Sequence, residues 1–176
     1  MATQLVRLKS DELINQVREQ WLAQINDDEG LPIEQLDVYF NQAKRVVADN
    51  APPDDRGMFV LEVDVDDCAS YEAICFINHA WAKSELRIVT LNLAPKYDAI
   101  EHRTIRLASV FSGLITQFVS LARSQWKAPH VKIYIQDSEF RALASGIASS
   151  FVHAQNGVEV DVIGNWLHIT GVDCIV

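Results

Sequence analysis

The sequence has few cysteines and few basic residues, and both shortages exclude classes of protein. Its three cysteines among 176 residues, Cys68, Cys75 and Cys174, stand in unrelated contexts, so they indicate neither a disulfide framework nor a set of zinc ligands. Fifteen Lys and Arg against 24 Asp and Glu give a formal net charge of −9. Because phosphates would be repelled, this balance argues against binding to nucleic acid or to an anionic membrane surface. A reducing cytoplasm is the expected setting.

Long apolar runs and familiar nucleotide motifs are also missing. The longest charge-free stretches, residues 107–122 and 142–158, contain Ser, Gln or His and fall short of the roughly 20 apolar residues that cross a bilayer. The first residues lack the apolar segment of a secretory signal. No Walker loop, dinucleotide-binding fingerprint or local Ser/His/Asp or Cys/His signature occurs. With 49% apolar residues, the chain is expected to be soluble and to form a single domain over residues 1–176.

The spacing of apolar residues predicts the secondary structure. Spacing of three and four residues predicts helices that begin near Asp11, at Pro32, near Arg103 and at Ser138. Alternation predicts strands over 59–65, 73–81, 86–93, 131–135, 158–163 and 167–172, after a short apolar run at 5–8. Hairpin spacing in the first half requires antiparallel pairing, and the later strand-helix-strand unit requires a parallel crossover. The predicted fold is α/β (an α+β mixed sheet), with the order β-α-α-β-β-β-α-β-α-β-β and helices on both faces.

This order, together with three local features, resembles the GNAT N-acetyltransferase superfamily over nearly the whole chain. The run from Leu91 to Tyr97 (LNLAPKY) is similar to the end of the family's fourth strand and its exit. The helix from about Arg103 stands where the family's third helix begins. The run from Phe151 to Val158 (FVHAQNGV) resembles the end of the fourth helix and the glycine turn after it. The resemblance implies that acetyl-CoA lies where the fourth and fifth strands part.

The segment that would bind the pyrophosphate departs from the family's signature. That signature is Gln or Arg, two residues, Gly, one residue, then Gly or Ala. The nearest match is Arg103 to Ala108 (RTIRLA), which has Arg106 in place of the first glycine. Glycine lets the backbone approach a phosphate closely, whereas an arginine obstructs that approach or replaces it with an ion pair.

The resemblance nevertheless assigns cofactor contacts to particular residues. The pyrophosphate would lie on amides at the start of the third helix, where unpaired N–H groups and the helix dipole favour an anion. Backbone groups of the fourth strand would contact the pantetheine. The predicted cofactor-binding residues are Leu91, Leu93, Arg103, Arg106 and Ala108. In the other interpretation, the two arginines are solvated and pair with Asp98 and Glu101.

Amine acetylation needs a base for the ammonium proton and an acid for the departing thiolate. The family often has a glutamate base on the fourth strand. Here that position holds Arg87, and Glu85 lies two residues earlier on the same side. The family's acid is commonly a tyrosine on the fourth helix, where this chain has Phe151 and His153, of which only His153 can donate a proton. The structural alternatives are an exposed carboxylate at the start of a strand for Glu85 and a helix cap for His153.

Two further polar features have ordinary structural interpretations. Glu62, Asp64 and Asp66 lie on one side of the first hairpin strand and are expected to be its solvent face rather than a site for a divalent cation or a polyamine. His79 shares a strand face with Cys75 and is expected to be a satisfied, partly buried histidine. No metal site is predicted.

The acidic residues are concentrated in the first third of the chain. Residues 11–55 contain eleven acidic and three basic side chains, an excess of eight. In the resembling family the first two helices border the acceptor site, so this field would favour a cationic amine such as a polyamine, an aminoglycoside or a lysine-containing peptide. Solvated helix faces are the other interpretation.

Two functional hypotheses follow. The first is an acyl-CoA-dependent N-acyltransferase that moves an acetyl group from acetyl-CoA to the primary amine of a small molecule or peptide. The second is a GNAT-like binding or regulatory module that no longer binds acetyl-CoA. Neither hypothesis includes a nucleic-acid or membrane partner, and both are compatible with a homodimer.

Overall fold

The structure confirms the predicted order of helices and strands. It is a computed structural model that describes residues 3–25, 33–49, 55–65, 68–97, 103–136, 138–151 and 158–172. Its elements are β1 (Thr3–Arg7), α1 (Asp11–Leu22), α2 (Ile33–Ala48), β2 (Arg56–Val65), β3 (Cys68–Ala80), β4 (Glu85–Leu93), α3 (Arg103–Leu121), β5 (His130–Tyr134), α4 (Ser138–Phe151), β6 (Glu159–Ile163) and β7 (Trp166–Thr170). Short 3₁₀ turns follow β3 (Trp81–Lys83) and β4 (Pro95–Tyr97), and a π-helical turn (Ala122–Trp126) follows α3.

The strands form one mixed sheet in the order β1-β2-β3-β4-β5-β7-β6. All neighbours pair antiparallel except β4 and β5, which are parallel and joined through α3. The α/β class and the mixed sheet predicted from the sequence are therefore confirmed. The first hairpin is longer than predicted, because Cys68 to Tyr71 pair with Val65 to Glu62 and extend β3 five residues before the predicted start at residue 73.

Helices cover both faces of the β2–β3 half of the sheet. The end of α2 lies beside Phe76 on one face, and α3 lies over Leu61 and Val63 on the other. Consequently Met58 to Leu61 are all buried, although alternation predicted a half-buried strand. On the α1 side, the Trp21 indole N–H donates to the carbonyl of Tyr71 at 2.8 Å and satisfies a buried polar group.

The helix boundaries follow from local chemistry. The Ser10 hydroxyl accepts a hydrogen bond from the Leu13 N–H at 3.3 Å, which confirms the predicted cap of α1. The helix predicted over 103–126 is α-helical to Leu121, and the π-helical turn ends at Trp126, followed by Lys127, whose φ is 47°.

One described helix, Ile105–Trp126, is long and apolar enough by composition to cross a bilayer, with a mean hydropathy of 1.5. Its apolar side is buried within the protein core at Leu107, Phe111 and Phe118. This is the placement of a helix that packs its apolar side against the sheet.

Candidate functional site

The neighbouring parallel strands β4 and β5 pair over only four residues. Glu85 to Ile88 face His130 to Ile133 in register. Beyond Ile88, β4 continues to Leu93 beside β3 alone. Within the described parts of the chain, the β5-side edge of 89–93 therefore has no strand partner. An unpaired main-chain edge next to a parallel neighbour is the geometry that the family resemblance implied for a cofactor.

A β-bulge explains why the strands part at this point. Ile88 pairs with Ile77 and Thr90 pairs with Phe76, so Val89 has no counterpart on β3. An extra residue on one strand bends that strand and increases its local twist. The bend begins at the residue after which β4 no longer pairs with β5, and we attribute the opening to it.

The main-chain groups of Leu91 and Leu93 point toward this opening. The Ala94 N–H donates to the Glu72 carbonyl at 2.9 Å, on the β3 side. Leu93 pairs with Ala73 and Leu91 with Cys75. Because successive residues of a strand direct their main-chain groups to opposite sides, the N–H and C=O of Leu91 and Leu93 face away from β3. Their side chains lie on the face of α3, where Leu91 is buried and Leu93 half-buried.

A buried polar side chain next to the bulge lacks a partner. The Thr90 hydroxyl oxygen is inaccessible to solvent and makes no hydrogen bond within the described residues. Buried polar groups are nearly always paired, so this enclosed hydroxyl is an exception. The main-chain N–H and C=O groups of Leu91 and Leu93 at the free edge fit the amide-rich pantetheine arm of acetyl-CoA.

The start of α3 carries the residues predicted to bind the pyrophosphate. The helix begins at Arg103, and Ala108 is half-buried in its second turn. Arg106 is exposed and lines a cavity beside Tyr97 and Val65 of β2, rather than filling the space between β4 and β5. The side chain of Arg103, and the predicted partners Asp98 and Glu101, lie outside the described residues.

The predicted base Glu85 is the first residue of β4 and is 9% exposed, which corrects the expectation of an exposed carboxylate. It lies between β3 and β5, and this position explains its burial. Its Oε2 accepts hydrogen bonds from Arg87 at 3.0 and 2.5 Å, and its Oε1 lies 2.7 Å from the Lys132 ammonium. Burial acts to raise the pKa of Glu85, but the hydrogen bonds and charges of Lys132 and Arg87 outweigh it and lower that pKa. Glu85 is therefore ionised at neutral pH, and its role as a base remains a prediction.

A row of polar residues crosses the sheet on the face opposite α3. The pairing places Arg87 next to Lys132, Lys132 next to His168, and His168 next to Asp161. Burial and the charge of Lys132 lower the pKa of His168, and they outweigh the carboxylates of Glu85 and Asp161. The sequence interpretation missed this row. Alternation in VKIYI and WLHIT was the available signal, because it puts Lys132 and His168 on the face away from the core.

Two histidines singled out in the sequence, His153 and His79, remain to be placed. His153, the predicted acid, and the side chain of Phe151 lie outside the described residues. His79 is more fully buried than the partial burial expected, and its Nδ1 makes no hydrogen bond in the described part of the chain. Its ring packs on Trp81 with centroids 3.9 Å apart, and this ring contact provides no hydrogen bond.

The acidic row of β2 is only partly in the structure. Glu62 accepts a hydrogen bond from the Gln4 amide at 2.8 Å, Asp64 is exposed, and Asp66 lies outside the described residues. Among the described residues, no three His, Cys, Asp or Glu side chains form a group that could hold a metal ion.

The carboxylates of α1 and α2 are largely solvent-facing. Asp37 is an exception, because it accepts two hydrogen bonds from Arg18 at 3.0 and 2.8 Å and links the two helices. Asp11, Glu12, Glu19 and Glu34 are exposed. Exposed carboxylates are thus present on these helices, while Asp27, Asp28, Glu29 and Asp54 lie outside the described residues.

Comparison with solved structures gives the fold family. A structure assigned as a ribosomal-protein-serine acetyltransferase from Vibrio cholerae aligns with 97% of this chain and 94% of its own, at 9% identity and a TM-score of 0.50. A spermidine/spermine N-acetyltransferase, SpeG, from Vibrio cholerae aligns with 96% of this chain and 92% of its own, at 13% identity and a TM-score of 0.47. No family model and no curated protein sequence matches the chain. The chain has the fold of the GNAT N-acetyltransferase superfamily.

Proposed function

We propose that this protein is an N-acyltransferase that transfers the acetyl group of acetyl-CoA to a primary amine. The observation that carries the proposal is the parting of β4 from β5 at the bulged residue Val89, which leaves the edge of residues 89–93 without a strand partner. The GNAT fold supports the proposal at the level of architecture only.

Three groups of residues would hold acetyl-CoA. The main-chain groups of Leu91 and Leu93 pair with the amides of the pantetheine arm. The first-turn amides of α3 bind the pyrophosphate, because they lack partners within the helix and the dipole is positive there. Arg103 and Arg106 are the cationic side chains proposed for the same turn, and Ala108 is the small residue that follows them.

The chemistry requires a polarised carbonyl and a neutral amine. Acetyl-CoA supplies a thioester whose carbonyl carbon the amine attacks, with release of the thiol. The Leu93 N–H, directed away from β3, donates to the carbonyl oxygen and stabilises the charge that develops there. Glu85 accepts the ammonium proton and His153 donates a proton to the leaving sulfur, as the family resemblance implies.

The proposed acceptor is a cationic amine, either a small molecule or a peptide. Support comes from the exposed carboxylates of α1 and α2, which raise the local concentration of a cation near the helices that border the acceptor site in the resembling family. Steering of this kind weakens as the salt concentration rises.

Calorimetric titration with acetyl-CoA and desulfo-CoA tests whether the cofactor binds. The activity of the Leu93→Pro variant tests the role of the Leu93 N–H most directly. Proline removes the N–H that faces the opening and removes no bond to β3, because the Leu93 main chain faces the other way. Leu93→Ala is the matched control, since it shortens the same side chain and keeps the N–H. We expect both variants to fold and Leu93→Pro alone to lose about 100- to 1,000-fold in kcat with an amine acceptor.

Two results would contradict the proposal. Absence of heat with either ligand at high micromolar concentration would favour the module that has lost its cofactor. Equal activity of the Leu93→Pro and Leu93→Ala variants would show that this amide plays no part in the reaction.

Arg103→Glu and Arg106→Glu, titrated separately with acetyl-CoA, test which arginine contributes to the pyrophosphate end.

A further inference from the structure

A cavity of about 490 Å³ lies between α3 and the β1–β2–β3 part of the sheet. Within the described residues, no residue of β4 or β5 lines it, so it is distinct from the opening between those strands, although Arg106 lines it as well. Its volume is within the roughly 300–1,000 Å³ of small-molecule sites. Leu61, Val63 and Val65 form an apolar wall along β2, and Val65 is 42% exposed.

Another part of the cavity wall is polar and carries an excess positive charge. Glu72, 4% exposed, is satisfied by the protein itself: Lys96 Nζ lies 2.7 Å from Oε1, Ser70 donates to Oε1 at 2.5 Å, and Tyr97 donates to Oε2. Arg106 also lines the cavity, and no salt bridge among the described residues involves it. One carboxylate and two cations leave a net charge of about +1 facing the cavity.

A glycine keeps the space open on the helix side. Gly113 lines the cavity in the interior of α3, where glycine costs about 0.5–1 kcal/mol relative to alanine. A Cβ built at this position would lie 3.4 Å from the Thr3 methyl group, which is ordinary contact. Tight packing therefore does not require glycine here, but a longer side chain would occupy the cavity.

We propose that this cavity binds an aliphatic carboxylate of intermediate chain length. The carboxylate pairs with the Arg106 guanidinium and the ammonium of Lys96, and the alkyl chain lies along Leu61 to Val65. These strand positions span about 13 Å, enough for a chain of roughly eight carbons. Arg106 is shared with the pyrophosphate end of the proposed acetyl-CoA site. Octanoate binding is measured in the absence of acetyl-CoA, so failure of one proposal does not entail failure of the other.

Calorimetry with sodium octanoate, below its micelle concentration, tests the proposal on the full chain. Octan-1-ol is the matched neutral probe. We expect octanoate to bind with one site per chain, and octanol and the Arg106→Gln variant each to give at least tenfold weaker binding, because a charge-assisted hydrogen bond is lost. Gly113→Leu should abolish binding, and Gly113→Ala, whose Cβ fits, should retain it.

Circular dichroism and thermal melting show whether each variant is folded. If Gly113→Leu does not fold, Ser109→Phe at the exposed edge of the same cavity replaces it, and loss of octanoate binding in that variant supports the proposal. No octanoate binding at millimolar concentration would overturn the proposal. Retention of binding in the filled variants, or equal affinity for octanol, would overturn it as well.

Discussion

The Lys96→Met variant tests how much the charge of Lys96 stabilises the buried carboxylate of Glu72. Removing one partner of a buried ion pair costs about 3–5 kcal/mol. The Glu72 side chain is 5% exposed and that of Lys96 is 34% exposed, so water reaches the cation but hardly the anion. Ser70 and Tyr97 remain as donors in the variant. We therefore expect Lys96→Met to lower the free energy of unfolding by about 2–3 kcal/mol at pH 7.

The pH dependence gives this prediction its specific signature. In the wild type, burial acts to raise the pKa of Glu72, but the hydrogen bonds from Lys96, Ser70 and Tyr97 and the charge of Lys96 outweigh burial and lower it. A lowered pKa contributes stability that is present above the unfolded value, about 4.3, and is lost as the pH falls through the folded value. In Lys96→Met, the hydrogen bond and charge of Lys96 no longer oppose burial, so we expect the pKa of Glu72 to rise relative to the wild type and protonation to offset part of the loss as the pH falls.

Urea unfolding of the wild type and Lys96→Met from pH 4 to pH 8 measures this difference. We expect the destabilisation to be largest near pH 7 and to shrink toward pH 4. Lys9→Met is the control, because Lys9 is exposed and the same side-chain change there should alter stability by less than about 0.5 kcal/mol. A destabilisation that is the same at every pH would refute the reasoning, since it would arise from lost packing rather than from the charge of Glu72.

Two further substitutions probe other buried polar groups. Trp21→Phe removes the hydrogen bond to the Tyr71 carbonyl and should lower the free energy of unfolding by about 1–3 kcal/mol in the same urea assay, whereas an unchanged value would show that water replaces the indole. Glu85→Gln should lower kcat with an amine acceptor by about 100-fold or more if Glu85 is the base, and wild-type kcat in this variant would exclude that role.

Local sequence patterns were sufficient for the order of elements and the class of the fold. The Ser10 cap, the helical spacing after it and the alternation in VKIYI each depend on residues near one another in the chain, and the structure confirms them. The parallel pairing of β4 with β5 followed from a connection rule that does not depend on side-chain detail.

Features that arise only from pairing between strands could not be predicted. The bulge at Val89 lies in the run LRIVTLNL, which contains no glycine or proline, and only the register with β3 leaves Val89 without a counterpart. Glu72 was missed for the same reason. It is the extra residue of β3 where Leu61 pairs with Ala73 and Glu62 with Tyr71, and the predicted strand began one residue after it.

The extra residue of β3, Glu72, and the extra residue of β4, Val89, mark two bulges, and Glu72 connects them. At Val89 the strand β4 separates from β5 and thereafter has a neighbour on one side only. Glu72 holds that exposed end from the β3 side, since its carbonyl accepts the Ala94 N–H and its carboxylate binds Lys96 and Tyr97 in the following turn. These bonds add to the ladder with β3 and satisfy backbone and side-chain polar groups at a strand end that has one strand neighbour. The buried ion pair thus has a structural role at the opening, because it fixes the strand whose free edge the proposed acyl transfer requires.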